Sequence, residues 1–123
     1  MKFIIDTHIY LWALSEPVKL SLQQARELKG QYNLIYVSAI SIAELTIKAS
    51  IGKLALSFAP ADMIEQIGFE PLSFSAKDAL PLQTLPFHHK DPFDRMLIAQ
   101  SITHGIPIMT SDPKFQLYNC RLV

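Results

Sequence analysis

Short apolar runs rich in β-branched residues alternate with segments whose apolar positions recur at helical spacing, and proline and glycine mark the boundaries between them. Residues 2–6 read as a buried strand, followed by a helix over 8–14 that Pro17 closes off. Ser21 and Gln24 have the spacing of a capping box for a helix ending near Gly30, and 34–37 repeat the strand pattern. Ser38 or Ser41 then opens a helix reaching about Ile51, with Gly52 as its stop, and Pro60 falls where a first-turn proline starts the next one. A strand is expected within 69–74. Residues 75–85 are helical in pattern, provided Pro81 kinks or ends the helix early. Residues 92–104 form a stronger helix, begun by Pro92 and ended by Gly105, and 106–110 are the last strand. Strands without a polar face, alternating with helices across short connections, imply a three-layer α/β/α sandwich with a central, mainly parallel sheet.

Composition narrows the function classes. The chain of 123 residues is 50% hydrophobic, with a mean hydropathy of +0.21, which describes one domain over residues 1–123 able to hold a core without disulfides or a structural metal. Cys120 is the single cysteine, so an intramolecular disulfide and a multi-thiolate zinc site are both excluded, and a reducing, cytoplasmic setting is expected. An acid and a histidine arrive by position 8, so no signal segment is read, and no apolar run approaches the roughly 20 residues of a membrane span. The formal net charge is zero, so any nucleic-acid partner must be recognised by a local patch or a metal.

The eleven acids divide by neighbourhood. Glu16, Glu27, Asp62, Glu65, Glu70 and Asp78 lie among polar residues or near turns and read as solvated. Asp6, Glu44, Asp94 and Asp112 instead stand in apolar company, at strand ends or early in helices. In a parallel α/β sheet those positions meet beyond the carboxyl ends of the strands. Four carboxylates gathered there repel unless a cation joins them, and oxygen-only donors favour Mg²⁺, with Mn²⁺ as the substitute, over zinc. Such a site suits hydrolysis of phosphodiesters by metal-activated water. Local explanations compete: Glu44 can close a capping box with Ser41, Asp94 can complement a helix dipole, and Asp112 can serve the turn at Pro113. No turn chemistry requires Asp6.

At these residues the chain resembles the PIN-domain ribonucleases, and among them the VapC-like toxins of bacterial toxin–antitoxin pairs. The resemblance lies in Phe3-Ile4-Ile5-Asp6-Thr7-His8, Val37-Ser38-Ala39-Ile40-Ser41-Ile42-Ala43-Glu44-Leu45, the run from His89 to Gln100 containing Asp91-Pro92-Phe93-Asp94-Arg95, and Thr110-Ser111-Asp112, all in the family's order. It implies a PIN-like fold in which Asp6, Glu44, Asp94 and Asp112 form an acidic metal site, with Asp6 and Asp94 as direct Mg²⁺ ligands. It implies endonucleolytic hydrolysis of RNA, inhibition by an antitoxin protein, and homodimers formed through helices of the amino-terminal half. A PIN-like module that chiefly binds antitoxin and, through it, DNA is the alternative. The acids of an aspartate-based phosphatase or a receiver-like domain are not in place, since His8 stands two positions after Asp6.

Around those acids, Asp91 precedes Pro92 and reads first as a helix N-cap, with a supporting place near the metal as the second option. Thr7 and Thr110 can orient carboxylates or water, or serve local turns. Arg95 and Lys48 are the cations expected to meet RNA phosphates. The loop histidines His88 and His89, like His8 and His104, are given no catalytic role. Ile9, Trp12 and Ala13 share a helix face that can pack on a partner or within the chain.

Overall fold

The computed structural model describes residues 1–123. Four strands, β1 (Lys2–Ile5), β2 (Leu34–Ser38), β3 (Glu70–Leu72) and β4 (Ile108–Met109), form one sheet in the order β3-β2-β1-β4, every pairing parallel. The helices are α1 (Thr7–Ser15), α2 (Leu22–Lys29), α3 (Ala39–Ser50), α4 (Pro60–Gln66), α5 (Ala76–Ala79) and α6 (Pro92–His104). Single 3₁₀ turns lie at Pro17–Lys19, Leu80–Gln83 and Pro113–Leu117.

The alternation of side chains along each strand builds the two outer layers. Phe3 and Ile5 of β1, Ile35 and Val37 of β2, and Met109 of β4 face a core made with Ile9 and Tyr10 of α1, Leu45 of α3 and Ile64 of α4. Ile4 and Ile108 point the other way, into a second core with Leu97 and Ile98 of α6, Phe115 and Tyr118. Both faces of β1 are buried, so its apolar run needs no polar alternation. This is the expected α/β/α sandwich.

Most boundaries follow the local signals. Ser21 and Gln24 complete their capping box, Ser38 rather than Ser41 caps α3, Asp91 caps α6 with Pro92 in its first turn, and Gly105 closes α6 at a φ of +64°. Pro81 ends α5 after one turn and the chain continues as a 3₁₀ turn, because proline offers no N–H to the helix ladder. The last strand is shorter than 106–110; its outer edge is met by the C-terminal residues through a parallel bridge from Ile108 to Leu122. Ile9, on the helix face offered for a partner, is in the core, and Trp12 packs against the same cluster.

Asp78 is not solvated. It is 1% exposed and joins α5 to α6: Oδ2 accepts from the Ser75 N–H (3.1 Å) and Gln100 Nε2 (3.3 Å), and Oδ1 lies 2.9 Å from His104 Nε2. Burial alone would raise its pKa, but the bonds from Ser75 and Gln100 and the charge of His104 outweigh it, so the carboxyl lies below its ordinary value. A depressed carboxyl contributes stability above its unfolded pKa and loses it as the pH falls through the folded value. Asp78→Ala is therefore expected to lower unfolding free energy at pH 7 by about 2–3 kcal/mol in urea titrations, and by less at pH 3, while the exposed Lys77→Ala changes it by no more than about 0.5 kcal/mol.

Candidate functional site

The sheet order reverses beside β1, where β2 and β4 leave on opposite sides, and this switch point opens at the carboxyl ends of the strands. Asp6 follows β1 there and, contrary to the expectation that no local structure requires it, caps α1, which starts at Thr7: its Oδ1 accepts from the Ile9 N–H at 2.9 Å. Its Oδ2 accepts from the Thr110 hydroxyl, just past β4, at 2.6 Å. The same Thr110 Oγ1 accepts from the Asp112 N–H at 3.0 Å, so one hydroxyl orients the carboxylate of one segment and the main chain of another. Thr7 donates to Ser41 Oγ at 3.0 Å and ties α1 to α3 below the site.

Ser41 is thereby occupied, and Glu44 does not close a capping box with it. Glu44 is 2% exposed; its Oε2 takes the Lys48 ammonium at 2.6 Å and its Oε1 is buried without any hydrogen-bond partner. From α6, Asp91 Oδ1 accepts from the Phe93 (2.8 Å) and Asp94 (3.1 Å) N–H groups, the expected N-cap. Asp94 stands one turn into that helix. Its Oδ2 lies 2.8 Å from His89 Nε2, which is also 3.0 Å from Asp112 Oδ2. Asp112 caps the final 3₁₀ turn through the Lys114 N–H at 2.9 Å, so its turn role and its place in the cluster coexist.

Electrostatics registers the crowding. Burial first, then the negative charges of Asp91, Asp6 and Glu44, push the Asp94 carboxyl up to about 7, with His89 acting in the opposite sense. Burial also raises Asp6, against the hydrogen bonds from Thr110 and Ile9. Lys48 is held above its ordinary value by its bond to Glu44, and the charges of Asp91 and Asp94 add to this. Lys48 thus serves first as a counter-charge inside the cluster.

Arg95 overturns an expectation. Its guanidinium is buried and turned away from the cleft: Nη1 donates to the carbonyls of Pro86 (2.7 Å) and His89 (3.2 Å), Nη2 to that of Leu85 (3.0 Å), and the exposed Phe87 ring stacks on it at 4.0 Å. One helical residue past Asp94 the side chain leaves the axis about 100° away, so Arg95 anchors the 85–89 loop instead of meeting phosphate. That loop delivers His89, a histidine given no catalytic role from the sequence, into contact with two of the acids; its neighbour His88 is exposed, edge-on to Tyr118. The adjacency of His89 to the Asp91-Pro92 helix start was the only available signal. Beside the acids, a cleft of about 220 Å³ is lined by Asp6, His8, Trp12, Ser111 and Asp112, which gives Trp12 a wetted face.

The PIN-domain family model matches residues 3–119. The chain belongs to the PIN-domain family. This PIN domain is 28% identical over 120 residues to Ribonuclease VapC22 of Mycobacterium tuberculosis, a match covering 92% of this chain and 88% of the relative. Its fold is shared by a chain in the crystal structure of VapBC2 from Rickettsia felis bound to a promoter DNA fragment, with a TM-score of 0.73, 20% identity, and 99% and 96% of the two chains covered. A chain of FitAB bound to the IR36 DNA fragment superposes with a TM-score of 0.61 at 16% identity, covering 100% and 94%.

PIN-domain nucleases generally use a divalent metal, and the residues of this PIN domain fit one. A buried carboxylate oxygen on Glu44 has no donor, burial and then neighbouring acids push Asp94 above the usual carboxylate range, and the donor set is of hard oxygens. A raised carboxyl favours the fold at low pH, and that contribution is lost as the pH rises from the unfolded value near 4 through about 7. In chelator at pH 8, Asp94→Asn is therefore expected to stabilise the protein by about 1–3 kcal/mol, an advantage absent at pH 4 and checked by thermal melts at both. Arg95→Lys, which cannot span three carbonyls, is expected to cost about 2 kcal/mol or more in the same melts, at either pH.

Proposed function

We propose that this PIN domain is a metal-dependent endoribonuclease, the toxin of a toxin–antitoxin pair, hydrolysing RNA phosphodiester bonds with Mg²⁺ or Mn²⁺. The observation that carries the reading is the grouping of acids at the switch point, where Asp94 feels the charges of Asp6 and Glu44 and shares His89 Nε2 with Asp112, together with a buried Glu44 oxygen that has no partner in the chain. Asp6 and Asp94 would hold the cation, with Glu44 and Asp112 completing its carboxylate surroundings. When bound, such a cation acidifies water and offsets charge on a phosphodiester.

The chain's own groups do the positioning. Thr110 and the Ile9 N–H fix both oxygens of Asp6, and Lys48 balances Glu44. Asp91 holds the first turn of α6, and with it Asp94. The cleft walled by Trp12 and His8 gives an RNA strand a path past the carboxylates. No other broad basic surface is needed, since the cation and the nearby Lys90 and Lys114 supply local positive charge.

An apolar groove of about 640 Å³, lined by Ala13, Val18, Leu20, Leu28, Ile67 and Phe69, supports an antitoxin partner, and Val18 in its lining is almost wholly exposed. The relative named as a ribonuclease and the complexes superposed above support the same assignment. A homodimer in the cytoplasm completes it; no helix is long and apolar enough to cross a membrane. The DNA-bound neighbours favour one second reading, a PIN-like module that binds antitoxin in a regulatory DNA complex.

The two readings part in one assay. Purified protein freed of antitoxin is incubated with total cellular RNA in Mg²⁺ or Mn²⁺, with and without chelator, beside Asp6→Asn and Asp94→Asn. Discrete fragments that need the metal, with activity falling at least about 100-fold in each variant, are expected. Equal cutting by the variants refutes the carboxylate mechanism. Folded protein that binds Mn²⁺ and cuts nothing supports the binding module.

A further inference from the structure

We propose that His89 is a positioning residue of the carboxylate centre and not one of its metal ligands, because the main chain of Asp91 fixes the imidazole as the Nε2–H tautomer. The consequence for metal rests on the reading above; the geometry of the ring does not.

The argument begins at Nδ1. The Asp91 N–H is directed at this atom from 3.3 Å, and a main-chain amide can only donate, so Nδ1 presents its lone pair. In a neutral imidazole the single proton then sits on Nε2. At that end Nε2 meets Asp112 Oδ2 at 3.0 Å and Asp94 Oδ2 at 2.8 Å, both acceptors when ionised. The two ends of the ring thus demand the same tautomer independently.

Metal ligation through Nε2 demands the reverse. The lone pair would have to lie on Nε2 and the proton on Nδ1, facing the Asp91 N–H donor to donor. A metal-bound histidine ordinarily gives its other ring N–H to a carbonyl or carboxylate, and none stands at Nδ1. Turning the ring over would present C–H groups at both ends. Nor is the backbone free to move: the His89 N–H donates to Tyr118 Oη at 2.7 Å, its carbonyl accepts from Arg95, and its ring packs edge-on to Phe115.

What the Nε2–H does follows from where the two acids come from. Asp94 is fixed on α6, whereas Asp112 belongs to the final 3₁₀ turn and its side chain is one-third exposed. Like charges on the two would separate them. A donor placed between their Oδ2 atoms holds Asp112 against the site and leaves Asp94 Oδ1 without a hydrogen bond in the chain. The family of contacts from Arg95 and Tyr118 to the 85–89 loop exists, on this view, to aim one N–H.

The test reads the ring directly. Long-range ¹H–¹⁵N correlation spectra of uniformly labelled protein at pH 8, with His89 assigned by its absence in His89→Gln, are recorded in chelator and after adding Mg²⁺. The Nε2–H tautomer is expected in both; an Nδ1–H tautomer in chelator, or its appearance with Mg²⁺, overturns the proposal. Mn²⁺ binding by calorimetry supplies the second arm, on variants shown by circular dichroism to be folded. His89→Leu is expected to weaken Mn²⁺ about 10–100-fold, and His89→Gln, whose amide N–H reaches the place of Nε2, to recover most of it. Equal loss in both variants, or loss in neither, overturns positioning. If the wild type binds no Mn²⁺, the metal reading fails, and the tautomer spectrum in chelator still decides the state of His89.

Discussion

Repulsion among acids brought to one place is the constraint to which the rest of the structure answers. Burial and then the charges of Asp91, Asp6 and Glu44 raise the proton affinity of Asp94, and Asp6 and Glu44 are themselves almost wholly buried, so solvent screens them little. Each acid is therefore met by a specific partner. Thr110 and an amide meet Asp6, Lys48 meets Glu44, amides of the first α6 turn meet Asp91, and the imidazole of His89 meets Asp94 and Asp112. Glu44 Oε1, the one carboxylate oxygen that is fully buried without a partner, marks where the chain by itself does not complete the balance. A fold selected for stability alone would replace such a group with an apolar one of similar shape.

The parallel sheet is what makes the crowding tolerable. Strand ends of one polarity deliver acids to one edge, and the helix N-termini that follow them aim amide hydrogens and positive dipole ends at the same edge. Asp6, Asp91 and Asp112 all cap the turn that they begin, so the hydrogen bonds that start three segments are also the bonds that orient three carboxylates. Capping and site building are one act at these positions, so the cap and turn readings that compete with a metal role for Asp91 and Asp112 in the sequence turn out to be compatible with it.

The parts of this arrangement that sequence discloses are those encoded locally. Buried strands show as apolar runs, α6 shows through Pro92 and Gly105, and the four acids stand out because they break apolar company. Pairings across long separations leave no such trace. Asp78 sits among polar neighbours in sequence, yet its partner His104 is 26 positions away and its burial is created by the docking of α5 on α6. Arg95 looks like a surface cation because nothing in its own helix says that the carbonyls of Leu85, Pro86 and His89 will be waiting beneath it. His89, likewise, is a loop histidine until the loop is folded back against the end of α6.

The stretch from Asp91 to Arg95 shows why a short segment can be so constrained without every residue touching substrate. Asp91 ends the loop, caps the helix with its carboxylate and points its own amide at His89. Pro92 has no N–H to leave unpaired in a first turn and holds φ where the helix needs it. Asp94, a turn away from the cap, faces the acids, and Arg95, the next residue around the axis, faces the loop that carries His89. Exchanging these two residues would set the aspartate against the carbonyls of the 85–89 loop, which repel it, and the arginine in the acid cluster, where it would neutralise the centre. The order of charges along one turn of helix therefore decides at once whether the loop is anchored and whether the carboxylates stay available for a cation.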